Sequence, residues 1–202
     1  MDGFVKVSLK NLITNIGEDN VKNILSDFSC PLNNDIEYFL KSKAVEFEKQ
    51  GISRTQLIYA SYREKSVLIG YYTLAEKVFI VSSKMSISNS LRKKINKFAT
   101  YYPESKSYML PAPLIAQLGK NFANDYNKLI SGDELLNMAI EDIKLTRQLL
   151  GGKVAYLECE DKPKLIDFYK DNGFVRFGTR TLDRDETQLT GEYLVQMLKY
   201  IE

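Results

Sequence analysis

A helix that ends at a glycine and leads directly into a strand is the feature that most constrains how this chain can fold. The stretch from Lys164 to Phe174 reads KLIDFYKDNGF. Leu165 and Tyr169 are four residues apart, so they share one face of a helix. Gly173 can adopt the left-handed conformation that ends a helix at little cost. The stretch therefore predicts an amphipathic helix followed at once by a β-strand.

The absence of histidine excludes several kinds of active site. A chain with no histidine has no Ser-His-Asp triad, no Cys-His pair and no histidine zinc helix. Its two cysteines, Cys30 and Cys159, are too few for a zinc cluster and favour a reduced, cytoplasmic protein. No phosphate-loop or dinucleotide-binding fingerprint occurs. Direct acyl transfer from a thioester remains possible, because it needs neither a metal nor histidine.

The overall composition is that of a soluble globular protein. The chain has 202 residues, of which 44% are hydrophobic and 27% are charged. The net charge of +2 is too small to indicate nucleic acid binding by itself. No apolar run approaches the roughly 20 residues of a membrane span, and the first residues do not resemble a signal peptide. Without repeats or linkers, we expect a single domain over residues 1–202 and no membrane partner.

Periodicity along the rest of the chain predicts alternating strands and helices. Asn33 or Asn34 is the predicted cap of a long helix that ends at Gly51. Ser131 and Glu134 form a capping-box pattern before another helix. Strands are predicted at 4–9, 55–62, 67–74, 78–82, about 114–119, 153–158, 174–182 and 191–200, and helices end near residues 25, 50, 98, 150 and 172.

This order of elements resembles the GNAT N-acetyltransferase superfamily over roughly residues 55–200. The helix-Gly-Phe-strand junction, with Tyr169 four residues before Gly173, resembles the closing motif of that superfamily. The resemblance implies an α/β (α+β) fold, with a mixed, mostly antiparallel sheet and helices on both faces. It also implies that Tyr169 protonates the thiolate of coenzyme A as it leaves.

The resemblance further implies where acetyl-CoA binds. Leu118, Gly119 and Lys120 match the splayed strand that pairs with the pantetheine arm. The loop from Asn127 to Gly132 stands where the family has [QR]xxGx[GA], whose amides and following helix start bind the pyrophosphate. Asn127 and Ile130 depart from that pattern. The cofactor-binding residues implied here are Asn127, Lys128, Ile130, Ser131, Gly132, Asp133 and Lys162.

The implied reaction transfers an acetyl group from acetyl-CoA to a primary amine by direct attack in a ternary complex, with no metal. The acceptor is left open among a small molecule, a peptide and aminoacyl-tRNA, and a homodimer is possible. The strand from Val67 to Leu74 (VLIGYYTL) resembles a GNAT branch that includes tRNA-acetylating toxins with an antitoxin partner. The basic segment from Ser90 to Phe98 either engages tRNA or is simply solvated.

Other interpretations compete with this one. A Ser-x-x-Glu cap is often only a helix start, and Tyr169 could serve packing alone. The changed loop is also compatible with a non-catalytic GNAT-like binding protein. Glu158 or Glu160 could face a cleft, although a solvated strand end is favoured. Lys162 either reaches a phosphate or is merely exposed.

Overall fold

The computed structural model of the chain describes residues 3–82, 87–184 and 186–201. Its strands form one sheet, in which β5 and β6 pair in parallel and the other described pairs are antiparallel. The strands are β1 (Phe4–Ser8), β2 (Arg54–Tyr62), β3 (Lys65–Ser82), β4 (Thr100–Tyr102), β5 (Ser107–Lys120), β6 (Val154–Cys159), β7 (Val175–Thr181) and β8 (Tyr193–Tyr200). The strand order is β1-β2-β3-β5-β6-β8-β7, with β4 paired to β5.

The helices are α1 (Leu9–Ile16), α2 (Glu18–Ser26), α3 (Asn34–Tyr38), α4 (Ala44–Gln50), α5 (Asn89–Ile95), α6 (Gly132–Leu150) and α7 (Pro163–Asp171). A π-helical turn joins α3 to α4, so the long helix predicted before Gly51 is locally widened. Its ends follow the prediction. The Asn33 side chain accepts hydrogen bonds from the first backbone amides, and Gly51 ends α4 with a left-handed φ of 75°.

The chain divides into two compact units. The first contains the residues up to Ala75 together with Ala116–Ala139, and the second contains Glu76–Ile115 and the residues from Ile140 onward. Strands β3 and β5 and helix α6 contribute residues to both units. The single domain over residues 1–202 stays a prediction. Among the described residues, no helix is long and apolar enough to cross a membrane.

Each unit has its own hydrophobic core. In the first unit, Leu9, Leu25 and Leu57 are fully buried with the edge-to-face pair of Phe28 and Tyr71. Tyr72, the other tyrosine of the VLIGYYTL stretch, is fully buried as well. In the second unit, the core includes Phe79, Val81, Ile95, Leu110, Tyr156, Phe177 and Leu198. Burial of each large apolar side chain contributes about 1.5–3 kcal/mol to folding.

Two strand boundaries differ from the prediction. The predicted strands 67–74 and 78–82 are parts of one 18-residue strand, β3. Glu76 and Lys77 interrupt the apolar pattern, but an exposed charged residue does not end a strand when no turn residue accompanies it. Strand β5 begins at Ser107, well before the predicted Leu114. Pro111 and Pro113 precede the parallel pairing with β6, which begins at Leu114, so their missing N–H groups do not interrupt that pairing.

The helix-glycine-strand junction forms as the sequence predicts. Helix α7 ends at Asp171, Gly173 adopts a φ of 80°, and β7 follows from Val175. The Phe174 amide donates to the Tyr169 carbonyl at 3.0 Å, which closes the helix end.

Candidate functional site

The predicted pyrophosphate loop lies in the first unit, between the end of β5 and the start of α6. A short 3₁₀ segment, Ala123–Lys128, begins the loop. The Lys120 ammonium donates a hydrogen bond of 3.0 Å to the Asn127 carbonyl and so ties the strand end to the loop. The Lys128 side chain is exposed and pairs with Asp125 at 3.1 Å.

The capping box at the start of α6 forms in full. The Ser131 hydroxyl accepts a hydrogen bond of 3.1 Å from the Glu134 amide. In return, the Glu134 carboxylate accepts from the Ser131 amide and hydroxyl, both at 2.8 Å. These bonds hold the pKa of Glu134 below its usual value. The box therefore fixes the end of the loop and keeps a carboxylate charge there.

The same loop leaves two backbone amides free. Within the described part of the chain, neither the Ile130 nor the Gly132 amide has a hydrogen-bond acceptor. Ile130 is buried, and the loop places its positive φ angles at Asn124 and Asp125 instead. These residue types tolerate that conformation better than isoleucine does. The substitution of isoleucine for the family's central glycine is thus accommodated without strain at Ile130.

An open pocket of about 520 Å³ adjoins this loop. Free amides at a helix start, together with Lys120, suit an anionic group. The carboxylate of Glu134, which also lines the pocket, would repel an anionic group. The pocket is lined by Lys120, Asn127, Lys128, Leu129, Ile130, Ser131 and Glu134.

Gly119, on the predicted pantetheine strand, is required by packing. A Cβ atom at this position would overlap Cγ2 of Ile36 in α3. The described pairing between β5 and β6 ends at Ile115, although β5 continues to Lys120. The last residues of β5, including Leu118, thus keep strand geometry beyond that parallel pairing.

Tyr169 lies in the second unit, on the buried face of α7. Its ring packs against Phe168 and Phe174, at centroid distances of 5.0 and 5.8 Å, and only 7% of the residue is exposed. Burial raises the pKa of Tyr169, so its hydroxyl stays protonated at neutral pH. This hydroxyl has no hydrogen-bond partner among residues 3–82, 87–184 and 186–201.

Lys162, the other predicted site residue of this unit, caps α7 and is already paired. Its ammonium donates to the Glu160 carboxylate at 2.7 Å, while half of its side chain remains exposed. Glu160 is buried and also accepts a hydrogen bond of 2.6 Å from Thr190. The favoured prediction of a solvated strand end is therefore wrong for Glu160. Its carboxylate instead holds Lys162 and Thr190 together.

The side chain of Glu158 is also largely covered, with 7% of it exposed, and lies in a polar network that the sequence analysis missed. Its carboxylate accepts hydrogen bonds from the Tyr156 hydroxyl, from Gln196 at 3.2 Å and from Arg180 at 2.9 Å. Lys77 lies 3.6 Å away. Burial alone would raise the pKa of Glu158, but these donors outweigh it and hold the pKa below its usual value. Glu158 is thus a paired group that is charged at neutral pH, rather than a free base.

The sequence contained only part of the signal for this network. Tyr156 and Glu158 are two residues apart on β6 and must share one face. Gln196 and Arg180 come from β8 and β7, and only the sheet register brings them together. Cys159, next along β6, is free and buried, and burial raises its pKa to about 12, so its thiol is neutral.

No model of a protein family matches the sequence, and no curated protein matches it. Several solved structures match in fold. A Tyr-to-Phe variant of KacT gives a TM-score of 0.62 at 17% identity, covering 96% of this chain and 94% of that one. AtaT complexed with acetyl-methionyl-tRNAfMet gives a TM-score of 0.61 at 19% identity, covering 95% of this chain and 93% of that one. A Tyr-to-Phe AtaT toxin bound to the C-terminus of the antitoxin AtaR and acetyl-CoA gives 0.60 at 16%, covering 98% and 94%.

Likeness at these identities concerns the fold. It extends over nearly the whole chain in each case, including the segments before residue 55 that the sequence resemblance did not cover. The mixed, mostly antiparallel sheet also agrees with the predicted architecture. The chain therefore has the GNAT acyltransferase fold of these toxins.

Proposed function

We propose that the protein is an N-acetyltransferase that transfers the acetyl group of acetyl-CoA to a primary amine. The observation that carries this proposal is the Tyr169 hydroxyl, which is protonated and unpaired although its ring is buried. A protonated hydroxyl that no protein group engages can donate a proton to a bound group. Tyr-to-Phe variants of both KacT and AtaT are among the similar structures, and one AtaT variant is bound to acetyl-CoA. These facts support a chemical role for Tyr169 beyond packing.

The reaction needs one proton donor and one proton acceptor. The amine nitrogen attacks the thioester carbonyl carbon, so that a C–N bond forms and the C–S bond breaks. Water takes the proton that the amine loses, and Tyr169 gives its proton to the departing thiolate and recovers one from solvent. A phenol suits this role, because the unperturbed pKa values of tyrosine and a thiol are about 10 and 8.5. The carboxylate of Glu158 is already engaged by three hydrogen-bond donors and by the nearby Lys77 ammonium, and it is not used as a base.

The α6 loop is the proposed binding place for the coenzyme phosphates. The free amides of Ile130 and Gly132 and the ammonium of Lys120 supply the attraction. Asn127, Lys128, Ser131 and Asp133 shape the loop around them. Leu118 and Gly119 would pair with the pantetheine arm through their backbone. Lys162 would contribute only if its ammonium gave up the hydrogen bond to Glu160 and bound a phosphate instead.

Calorimetry with acetyl-CoA and the variant Gly132→Glu tests this placement. A carboxylate at the first position of α6 repels the phosphates, so affinity should fall at least about tenfold, or 1.4 kcal/mol. The matched control is Asn137→Glu, which adds the same charge at an exposed position of the same helix. It should leave affinity unchanged.

Two outcomes would count against the proposal in different ways. Equal acetyl-CoA affinities for wild type, Gly132→Glu and Asn137→Glu would show that the coenzyme phosphates do not bind at this loop. A wild-type protein that does not bind acetyl-CoA at about 1 mM, where even a weak complex forms, would favour the non-catalytic binding protein.

For the acceptor, we propose aminoacyl-tRNA, and with it an antitoxin partner and a homodimer. Helix α5 buries Ile95 and leaves Lys93 and Lys94 exposed, and Lys97 is exposed just beyond its end. The predicted basic helix therefore forms, but it ends at Ile95 rather than near Phe98. The adjacent β4 leaves Tyr101 and Tyr102 nearly half exposed. Lysines attract phosphates and exposed aromatic rings stack on unpaired bases, so the two together suit an RNA end. The AtaT complex with acetyl-methionyl-tRNAfMet supports the same acceptor class.

Replacement of Lys93, Lys94 and Lys97 by serine tests the acceptor. The acetylation of aminoacyl-tRNA should fall and its dependence on salt should flatten, because fewer phosphate contacts form. Acetyl-CoA affinity should not change. A control triple change to serine at the exposed Lys10, Lys43 and Lys65 alters the net charge equally. Equal tRNA acetylation by both triple variants would exclude α5 from acceptor binding.

A further inference from the structure

The last residues of β5 are attached on one face to the segment that leads into α3. The described pairing of β5 with β6 ends at Ile115, although β5 runs further. Side chains alternate along a strand, so Gln117 and Gly119 point to the same face, and Asn121 follows at the same spacing. Each of these three residues contacts residues 29–36, which are called the α3 segment below. The proposed pantetheine strand thus has a support on the side of α3.

Two of these contacts fix β5 itself. The Gln117 side chain donates a hydrogen bond of 2.8 Å from Nε2 to the Asp35 carboxylate. Two residues further along, Gly119 lets Ile36 approach so closely that a Cβ atom on the glycine would overlap the isoleucine side chain. One polar contact and one close packing contact therefore hold this end of β5 against α3.

The third contact, at Asn121, joins three segments of the first unit where the chain leaves β5. Asn121 is only 2% exposed. Its Oδ1 atom accepts hydrogen bonds from the amides of Ser29 and Ala123, both at 3.0 Å. Its Nδ2 atom donates to the Leu68 carbonyl at 2.8 Å, and its backbone amide donates to the Ile69 carbonyl at 2.8 Å. Asn121 thus connects β3, the α3 segment and the first residues of the α6 loop.

We propose that Asn121 is a positioning residue for the coenzyme. Its bond to the Ala123 amide turns the chain out of β5 and sets the direction in which the α6 loop begins. The amides of Ile130 and Gly132 lie further along the same loop, so their place depends on that direction. The inference rests on the proposed binding of the coenzyme phosphates at these amides.

The far part of the loop is held by other contacts, so Asn121 supplies the attachment at its beginning. The Lys120 ammonium donates to the Asn127 carbonyl at 3.0 Å. The capping box of Ser131 and Glu134 fixes the start of α6. A loop that is ordered before the coenzyme arrives loses less conformational entropy when the phosphates bind. The apparent affinity therefore rises with the fraction of molecules in which the loop is ordered.

Replacement of Asn121 by alanine and by serine tests this role. The two variants leave nearly the same space, but a serine hydroxyl can still accept a hydrogen bond from the amide two residues further on. Asn121→Ala should raise the Kd for acetyl-CoA about tenfold, and Asn121→Ser should recover part of this loss. Calorimetry measures both affinities. In the protein without coenzyme, hydrogen exchange over residues 122–131 should be faster in Asn121→Ala than in Asn121→Ser.

The matched control is Thr55→Val, which breaks another buried polar contact of the first unit. The hydroxyls of Thr55 and Thr73 are 2.9 Å apart, and both residues are buried. The change should lower the free energy of unfolding, because the Thr73 hydroxyl loses this hydrogen bond. It should leave the affinity for acetyl-CoA unchanged. An equal loss of affinity in Thr55→Val and Asn121→Ala would show that affinity only follows stability, and would overturn the positioning role.

The remaining outcomes separate this inference from the proposed function. If the wild type and a folded Asn121→Ala variant bind acetyl-CoA equally well, Asn121 is a structural residue and the inference alone is wrong. If the wild type does not bind acetyl-CoA at about 1 mM, the proposed function fails, and the inference fails with it. If Asn121→Ala does not fold, Asn121→Ser decides the question. It still lacks the bonds to Ser29 and Leu68, so a Kd equal to that of the wild type would overturn the role.

Discussion

Tyr156 and Tyr169 are both buried tyrosines of the second unit, yet their hydroxyls are in opposite situations. The Tyr156 hydroxyl donates to Glu158 and accepts from Gln196 at 2.9 Å. The Tyr169 hydroxyl has no partner in the described part of the chain. Burial raises the pKa of both residues. The difference therefore lies in hydrogen bonding rather than in burial.

This contrast separates a stabilising hydroxyl from one that is available for chemistry. A satisfied buried hydroxyl contributes to stability, and its loss leaves its partners unpaired. A hydroxyl that no protein group engages, and that is not fully buried, contributes little to stability, but it can donate a proton to a bound group. Substitutions that remove each hydroxyl and keep the ring should thus have different consequences.

The largest expected effect is on catalysis by Tyr169→Phe. Removal of one positioned general acid typically lowers kcat by about 10²- to 10⁴-fold. The free energy of unfolding should hardly change, because the ring and its contacts with Phe168 and Phe174 remain. Acetyl-CoA affinity should also be retained, since the hydroxyl acts after the thiolate develops. Steady-state kinetics measures kcat, and denaturant unfolding measures the free energy of unfolding. A kcat equal to that of the wild type would assign Tyr169 to packing only.

The next effect should be on stability, in Glu158→Gln. Breaking a buried ion pair costs about 3–5 kcal/mol, because the remaining charge is left unpaired. The Arg180 side chain is 21% exposed and keeps Glu186 at 2.7 Å, so a value near the lower limit is expected. Urea unfolding measures it, with the exposed Glu192→Gln as the control. A Glu158→Gln variant as stable as this control would contradict a structural role for the network.

Tyr156→Phe should be less destabilising and nearly neutral for catalysis. The change removes one donor from Glu158, which keeps Arg180 and Gln196, and a loss of about 1–3 kcal/mol is expected. Below its melting temperature, the variant should keep wild-type kcat. Comparison with Tyr169→Phe in the same assays tests the contrast directly. If Tyr156→Phe lowered kcat at unchanged stability, the roles of the two tyrosines would need to be exchanged.

The smallest effect should be the acid dependence that Glu158 contributes. Its folded-state pKa is lowered, so its contribution to stability is present above the unfolded pKa of about 4.3. That contribution is lost as the pH falls through the folded-state pKa. The stability difference between wild type and Glu158→Gln should therefore narrow as the pH is lowered from about 6 to about 3. If the stability difference between wild type and Glu158→Gln did not change with pH over this interval, Glu158 would have the same pKa in the folded and unfolded states.

The sequence predicted most elements of this fold because their signals are local. Leu165, Tyr169 and Gly173 define helix α7 and its end within nine residues, and Ser131 with Glu134 defines the start of α6. The order of the elements then indicated the fold. The boundaries between 67 and 82 were predicted less well, because charged residues at an exposed position do not by themselves distinguish a turn from a continuing strand.

Tertiary structure alone decided which polar groups are paired. Tyr169 lies on the buried face of a helix and Tyr156 in a largely buried strand, and neither sequence context shows whether the hydroxyl has a partner. Only the register of β6, β7 and β8 brings Gln196 and Arg180 to Glu158, across 38 and 22 residues of sequence. Local sequence propensity determines where helices and strands form. A hydrogen bond between residues far apart in the sequence forms only after the strands have paired in one register.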